Sequence, residues 1–154
     1  MGDVVTRWAL GLTLVAAVGG CDDVEDASVP APDYDAFERD VYPILLRDCG
    51  FPACHGNEGR PFRVYGPGRL RLSEESEADD PPTNDEVWLS YQRTRSMLVT
   101  SEPIEASLLL RKVLPEGGHR GVDALGRSVY PDALDESYLI LARWAAGELR
   151  YGDQ

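Results

Sequence analysis

Apolar side chains recur at Tyr34, Phe37, Val41, Ile44 and Leu45, a spacing that sets them along one face of a helix. Pro43 interrupts the run and marks a kink or the effective start of that helix. Cys49 closes the segment, and Gly50 supplies a C-terminal stop. A second helix is predicted from Thr83, where "TNDE" offers a capping box between Thr83 and Glu86. Its buried stripe runs through Val87, Trp88, Tyr91 and Leu98, with Met97 towards the edge. Pro103 suits the first turn of a third helix carrying Leu108, Leu109, Leu110 and Val113. The last helix, "ESYLILARWAAG", gathers Tyr138, Leu141, Ala142 and Ala145 on one face with Trp144 beside it, and Gly147 ends it.

Between these helices the periodicity lapses. "EGRPFRVYGPGRLRL" holds several turn residues and one or two short extended pieces around Phe62 to Tyr65. "SEESEADDPP" reads as a solvated acidic loop. "PEGGHRGVDALGRSVYPD" is punctuated by glycine and carries His119. No hairpin signal and no internal repeat appears. The fold class expected is mainly α, small, with long loops. Loops of this length without structure of their own are uncommon unless they enclose a ligand or are themselves functional.

Composition narrows the class. The 43% hydrophobic and 27% charged content is that of a soluble globular domain. A formal charge of -12 argues against nucleic acid as a partner, since that needs a basic footprint. An acidic surface suits a basic partner or simply solubility.

The N-terminus reads as a targeting segment. Arg7 precedes the apolar stretch "WALGLTLVAAV", which is short for a bilayer span, and "VGGC" ends at Cys21. This resembles a bacterial lipobox, in which cleavage before the cysteine leaves it to carry lipid. An ordinary secretory signal cut nearby, or an N-terminal membrane anchor, are the alternatives. The expected organisation is a signal peptide over residues 1–20, a lipid-anchored acidic linker over 21–33 ("DDVEDASVPAPD" follows Cys21), and a folded domain over 34–151. Localisation would then be the cell envelope, facing periplasm or exterior, with the membrane reached through the lipid on Cys21. Lipidation of Cys21 leaves two thiols, Cys49 and Cys54, in an oxidising compartment.

Those two thiols sit in "RDCGFPACHG": Cys49, four residues, Cys54, then His55. Two cysteines followed at once by a histidine is how a chain attaches c-type haem, usually with two residues between the cysteines. The extra length would bulge outward, and Gly50 and Pro52 are turn formers suited to that. Three other readings stand beside it. Cys49 and Cys54 suit a disulfide closing a small loop, which would make this a haem-free lipoprotein with an interaction or envelope domain. Zinc held by Cys49, Cys54, His55 and His119 has the residue count but crowds adjacent Cys54 and His55 into one tetrahedron. A cysteine–histidine nucleophile lacks an evident orienting acid.

"YDAFERDVYPILLRDCGFPACHG" resembles the opening of bacterial cytochrome c-like domains, through Phe37, Val41, Pro43, Ile44, Leu45, Cys49, Cys54, His55 and Gly56. "EASLLLRKVL", a glycine-rich histidine loop and "YLILARWAAGEL" are similar to the end of such domains. The resemblance implies a small cytochrome c-like fold whose first and last helices cross. It implies one haem c, bound through thioethers to Cys49 and Cys54 and ligated by His55. Pro67, twelve residues beyond His55 in "YGPG", would accept the ring N–H and fix the imidazole. The sixth ligand is expected to be His119, with Met97 as the alternative. Arg60, Arg63, Arg69 and Arg71 flank the proximal loop as candidate partners for haem carboxylates. The implied function is one-electron transfer with an unidentified redox protein, and no enzymatic activity.

Overall fold

The computed structural model describes residues 29–100, 103–119 and 128–152. Cys21 and the whole signal segment lie outside the described residues. The architecture is mainly helical: α1 (Tyr34–Ala36), α2 (Tyr42–Asp48), α3 (Asn84–Ser96), α4 (Leu108–Lys112) and α5 (Glu136–Ala145). Short 3-10 turns occupy Ile104–Ala106 and Pro115–Gly117. The extended pieces expected near Phe62 to Tyr65 form only a lone bridge between Tyr65 and Leu70. Among the described residues no helix is long and apolar enough to cross a membrane.

The first apolar run is helical throughout, and Pro43 shapes it in a specific way. Proline has no N–H to return to the preceding turn. Just ahead of it the helix widens into a π turn over Phe37–Val41, and the Tyr42 N–H donates to the carbonyl of Phe37, five residues back. The same turn brings Phe37 to the centre of the core. Its ring lies 5.3 Å from Trp144 and 5.4 Å from Tyr91, so the π turn, α3 and α5 meet around one aromatic side chain. The first and last helices therefore pack on each other.

α3 begins where expected, with Thr83 Oγ1 accepting from the Glu86 N–H and the Glu86 carboxylate accepting from the Thr83 N–H. Its stripe is narrower than predicted. Val87 and Tyr91 are buried, but Trp88 is 49% exposed, held at the surface by edge contact with Tyr34 and stacking on Tyr91. Leu98 is buried beyond the helix end. The single third helix gives way to a 3-10 turn and the separate α4, because Ser107 takes the extended ψ of 155° between them. Leu109, Leu110 and Val113 are buried while Leu108 is exposed. α5 is capped by Asp135, buries Tyr138, Leu141, Trp144 and Ala145 with Ala142 half-buried, and stops before Gly147, whose φ is 74°.

Two polar devices hold what the helices do not. The first is Glu86, fully buried on α3. It accepts a bidentate pair from Arg71 at 2.9 and 3.0 Å, and the Leu72 and Thr83 N–H groups at 2.9 Å each. Arg71 in turn donates to the carbonyls of Glu77, Asp80 and Pro81, so the acidic loop is wrapped around this guanidinium. Arg71 is thus committed to the scaffold and does not line the cavity described below. The second device secures the segment read as linker. Arg95 donates to the carbonyls of Val29 and Pro30, Tyr91 to Pro32, and Trp144 Nε1 to Asp33. Among the described residues attachment is thus already present at Val29, within the segment read as linker.

Burial alone would raise the Glu86 carboxyl, but the Arg71 guanidinium and the two backbone N–H groups outweigh it and hold the group below its ordinary value of 4.5. The stabilisation is therefore complete above that ordinary value and disappears as pH falls through the carboxyl's own lower value. Glu86→Ala is expected to cost about 2 kcal/mol at neutral pH, since it removes the buried acceptor of Arg71 and of the Leu72 and Thr83 N–H groups. Denaturant melts at neutral and acidic pH check this: the gap between wild type and variant should shrink in acid.

Candidate functional site

The loop after α2 folds back on itself. Cys49 caps the helix, its N–H and that of Gly50 both donating to the Leu45 carbonyl. The His55 N–H returns to the Cys49 carbonyl at 3.0 Å, and the Cys54 and Gly56 N–H groups return to Phe51 at 2.7 and 3.0 Å. Phe51, Pro52 and Ala53 are exposed, so the two residues by which the cysteine spacing is longer are taken up in a surface bulge. Gly56 closes the loop. A Cβ there would stand 2.0 Å from the Gly50 carbonyl oxygen, so only glycine permits the approach. Arg69 braces the outside, donating to the Leu46 carbonyl and lying 4.2 Å over the Phe51 ring.

This loop forms part of the wall of a cavity of about 510 Å³, within the roughly 300–1,000 Å³ typical of cofactor sites. Cys49, Cys54 and His55 line it, together with Met97 at the end of α3, Leu109 from α4, Val113 just past it, Leu141 from α5, and His119. The wall is tied together by backbone bonds: Leu109 N–H donates to the Met97 carbonyl, and Tyr130 N–H to that of Val113. The expected thioether cysteines, the expected proximal histidine and both candidate sixth ligands thus line one space.

His55 and His119 approach across the cavity, ring centres 5.8 Å apart. Two imidazoles bound from opposite sides to one metal ion, with bonds of about 2 Å each, have centres about 6 Å apart. A porphyrin supplies four of six donors to its iron, so two imidazoles complete such a site. Among the described residues no group of three or more His, Cys, Asp or Glu is arranged to hold a metal ion.

The acceptor for His55 is not Pro67. Nδ1 lies 3.1 Å from the Phe62 carbonyl, and the two rings are in contact at 4.7 Å. The Val64 N–H donates to the His55 carbonyl, which seats residues 62–64 beside the imidazole. The Pro67 turn is held elsewhere: Gly66, at φ 145°, packs on the Tyr42 hydroxyl, which donates to Tyr65. With Nδ1–H given to Phe62, the Nε2 lone pair is left available to a ligand. Burial lowers the affinity of the ring for a proton, against the opposing pull of the Phe62 carbonyl, and so favours the neutral form that binds metal.

The thiols differ. Cys49 is 7% exposed and burial pushes it up to about 12, whereas Cys54 is half-buried. Both are free, with no bond between them.

The four arginines read as flanking the loop do not line the cavity; Arg47 and Lys112 do. Arg47 is bound to both carboxylate oxygens of Asp48 and to Ser137 Oγ, and Asp48 also accepts from the Tyr130 hydroxyl. Lys112 could have been found from helical spacing, since it stands three and four residues beyond the cavity-lining Leu109 and Leu108. No family model, curated protein or solved structure matches this chain.

Two outcomes follow for the haem-free protein. A thiol-alkylating reagent at mildly alkaline pH should label Cys54 first and reach Cys49 only on unfolding, which peptide mass mapping resolves. Gly56→Ala should destabilise the chain by about 2 kcal/mol, whereas Gly59→Ala, whose Cβ would meet only the Asn57 side chain at 3.1 Å, should melt close to wild type.

Proposed function

We propose that this chain is an extracytoplasmic electron-transfer protein that carries one covalent haem c in the cavity and is anchored to a bacterial membrane through lipid on Cys21. The observation that carries the reading is the convergence of Cys49, Cys54, His55 and His119 on one cavity, with the imidazole centres 5.8 Å apart. The helical packing of Phe37 against Trp144 supports a cytochrome c-like arrangement around it.

In this function Cys49 and Cys54 hold the cofactor by thioether bonds, and His55 and His119 ligate its metal. The bound group supplies one-electron chemistry, its iron cycling between ferric and ferrous states. The polypeptide contributes orientation and exclusion of water. Phe62 fixes the His55 ring through Nδ1, and Leu109, Val113 and Leu141 present an apolar wall. Two imidazoles give a lower potential than an imidazole–thioether pair would, which separates His119 from Met97 as sixth ligand. The acidic surface suits a positively charged redox partner.

The test is to express the full chain in a host equipped for cytochrome maturation. The expected product is coloured and keeps haem mass after denaturation. His119→Ala should abolish the six-coordinate low-spin spectrum and Met97→Ala should preserve it. Colourless protein lighter by two hydrogens would instead establish the Cys49–Cys54 disulfide of a haem-free lipoprotein.

A further inference from the structure

Among the described residues that line the cavity, one formal positive charge has no carboxylate to offset it, in a chain whose formal charge is -12. Of the formally charged side chains there, Arg47 and Asp48 neutralise one another, at 2.7 Å. That leaves Lys112. It lies at the C-terminal end of α4, is half-buried, and makes no hydrogen bond or ion pair among the described residues. Lys112 lines a space whose remaining described wall is chiefly apolar, with the two thiols and two imidazoles as its other titratable groups.

An ammonium beside an apolar cavity complements an occupant that is apolar over most of its surface and anionic at one edge. We propose that Lys112 pairs with a carboxylate of the cavity's occupant, and that on the haem reading, on which this inference rests, the carboxylate is a propionate. Lys112 then fixes which edge of the ring lies towards α4. It also balances a negative charge near the iron. Arg47 differs in that its charge is already paired with Asp48, through Nε and Nη2, and Nη2 also donates to Ser137.

The experiment compares wild type, Lys112→Met and Lys112→Arg, each matured with haem as the full chain. Readouts are covalent haem content, the low-spin absorption bands and the midpoint potential. Methionine keeps the length of the stem and removes the charge. The expected result is unchanged bands in Lys112→Met with a lower midpoint potential, because an unbalanced propionate favours the ferric state, and recovery of the potential in Lys112→Arg. Poor haem loading of Lys112→Met alone, rescued by arginine, supports the same pairing. Haem-loaded Lys112→Met at the wild-type potential overturns it, as do identical changes in both variants. Wild-type protein without haem overturns the electron-transfer reading and this one together, so the two failures are told apart by the wild type.

Discussion

The contact between Gly56 and the Gly50 carbonyl is the constraint from which the site follows. A backbone that passes so close to itself has one arrangement, and in it the loop between Cys49 and His55 is closed by three returning N–H groups. The thiols and the imidazole are then held by main chain, not by the side-chain rotamers alone. The two residues by which the motif is longer are absorbed where they cost least, in an exposed bulge braced by Arg69. A longer spacing between the cysteines is therefore compatible with the same inward presentation that a tighter turn would give.

Such a loop needs a rigid frame, and the frame is half aromatic and half ionic. Phe37, Tyr91 and Trp144 join three helical elements, their rings tilted or edge-on to one another, an arrangement that favours the ring quadrupoles. On the other side, Glu86 and Arg71 satisfy backbone groups that irregular chain would otherwise leave open. The Tyr65 N–H adds to this by donating to Ser90 Oγ, and Ser90 is itself buried on α3. The region without periodicity is thus fastened to α3 at Ser90 and at Glu86, on either side of the bridge between Tyr65 and Leu70.

Legibility in the sequence followed the range of the interactions. Thr83 and Glu86 are three residues apart and their capping box was readable, as was the helix ending before Gly147. The helical face of Phe37, Val41, Ile44 and Leu45 was equally plain, since all four are buried. The widening ahead of Pro43 was not, because kink and helix start leave the same apolar spacing. Convergence of His55 with His119 could be expected only through resemblance, as they are 64 residues apart in the numbering. The Arg71–Glu86 pair was hidden because every arginine near the loop looks alike until one finds its carboxylate. Pro67 misled for a related reason: a Gly-Pro turn marks where a chain reverses, not which side chain it meets. Phe62, nearer in sequence, reached the ring first.

The clamp on residues 29–33 shortens the leash. Arg95, Tyr91 and Trp144 hold the chain from Val29 onward, so an acyl group on Cys21 would be separated from the body by a span of at most about 29 Å. A tether free as far as Asp33 would have allowed about 43 Å. On the proposed lipid anchoring, that difference would keep the domain closer to the bilayer than a longer tether would, and redox partners embedded in or resting on the same leaflet would be favoured over soluble carriers at a distance.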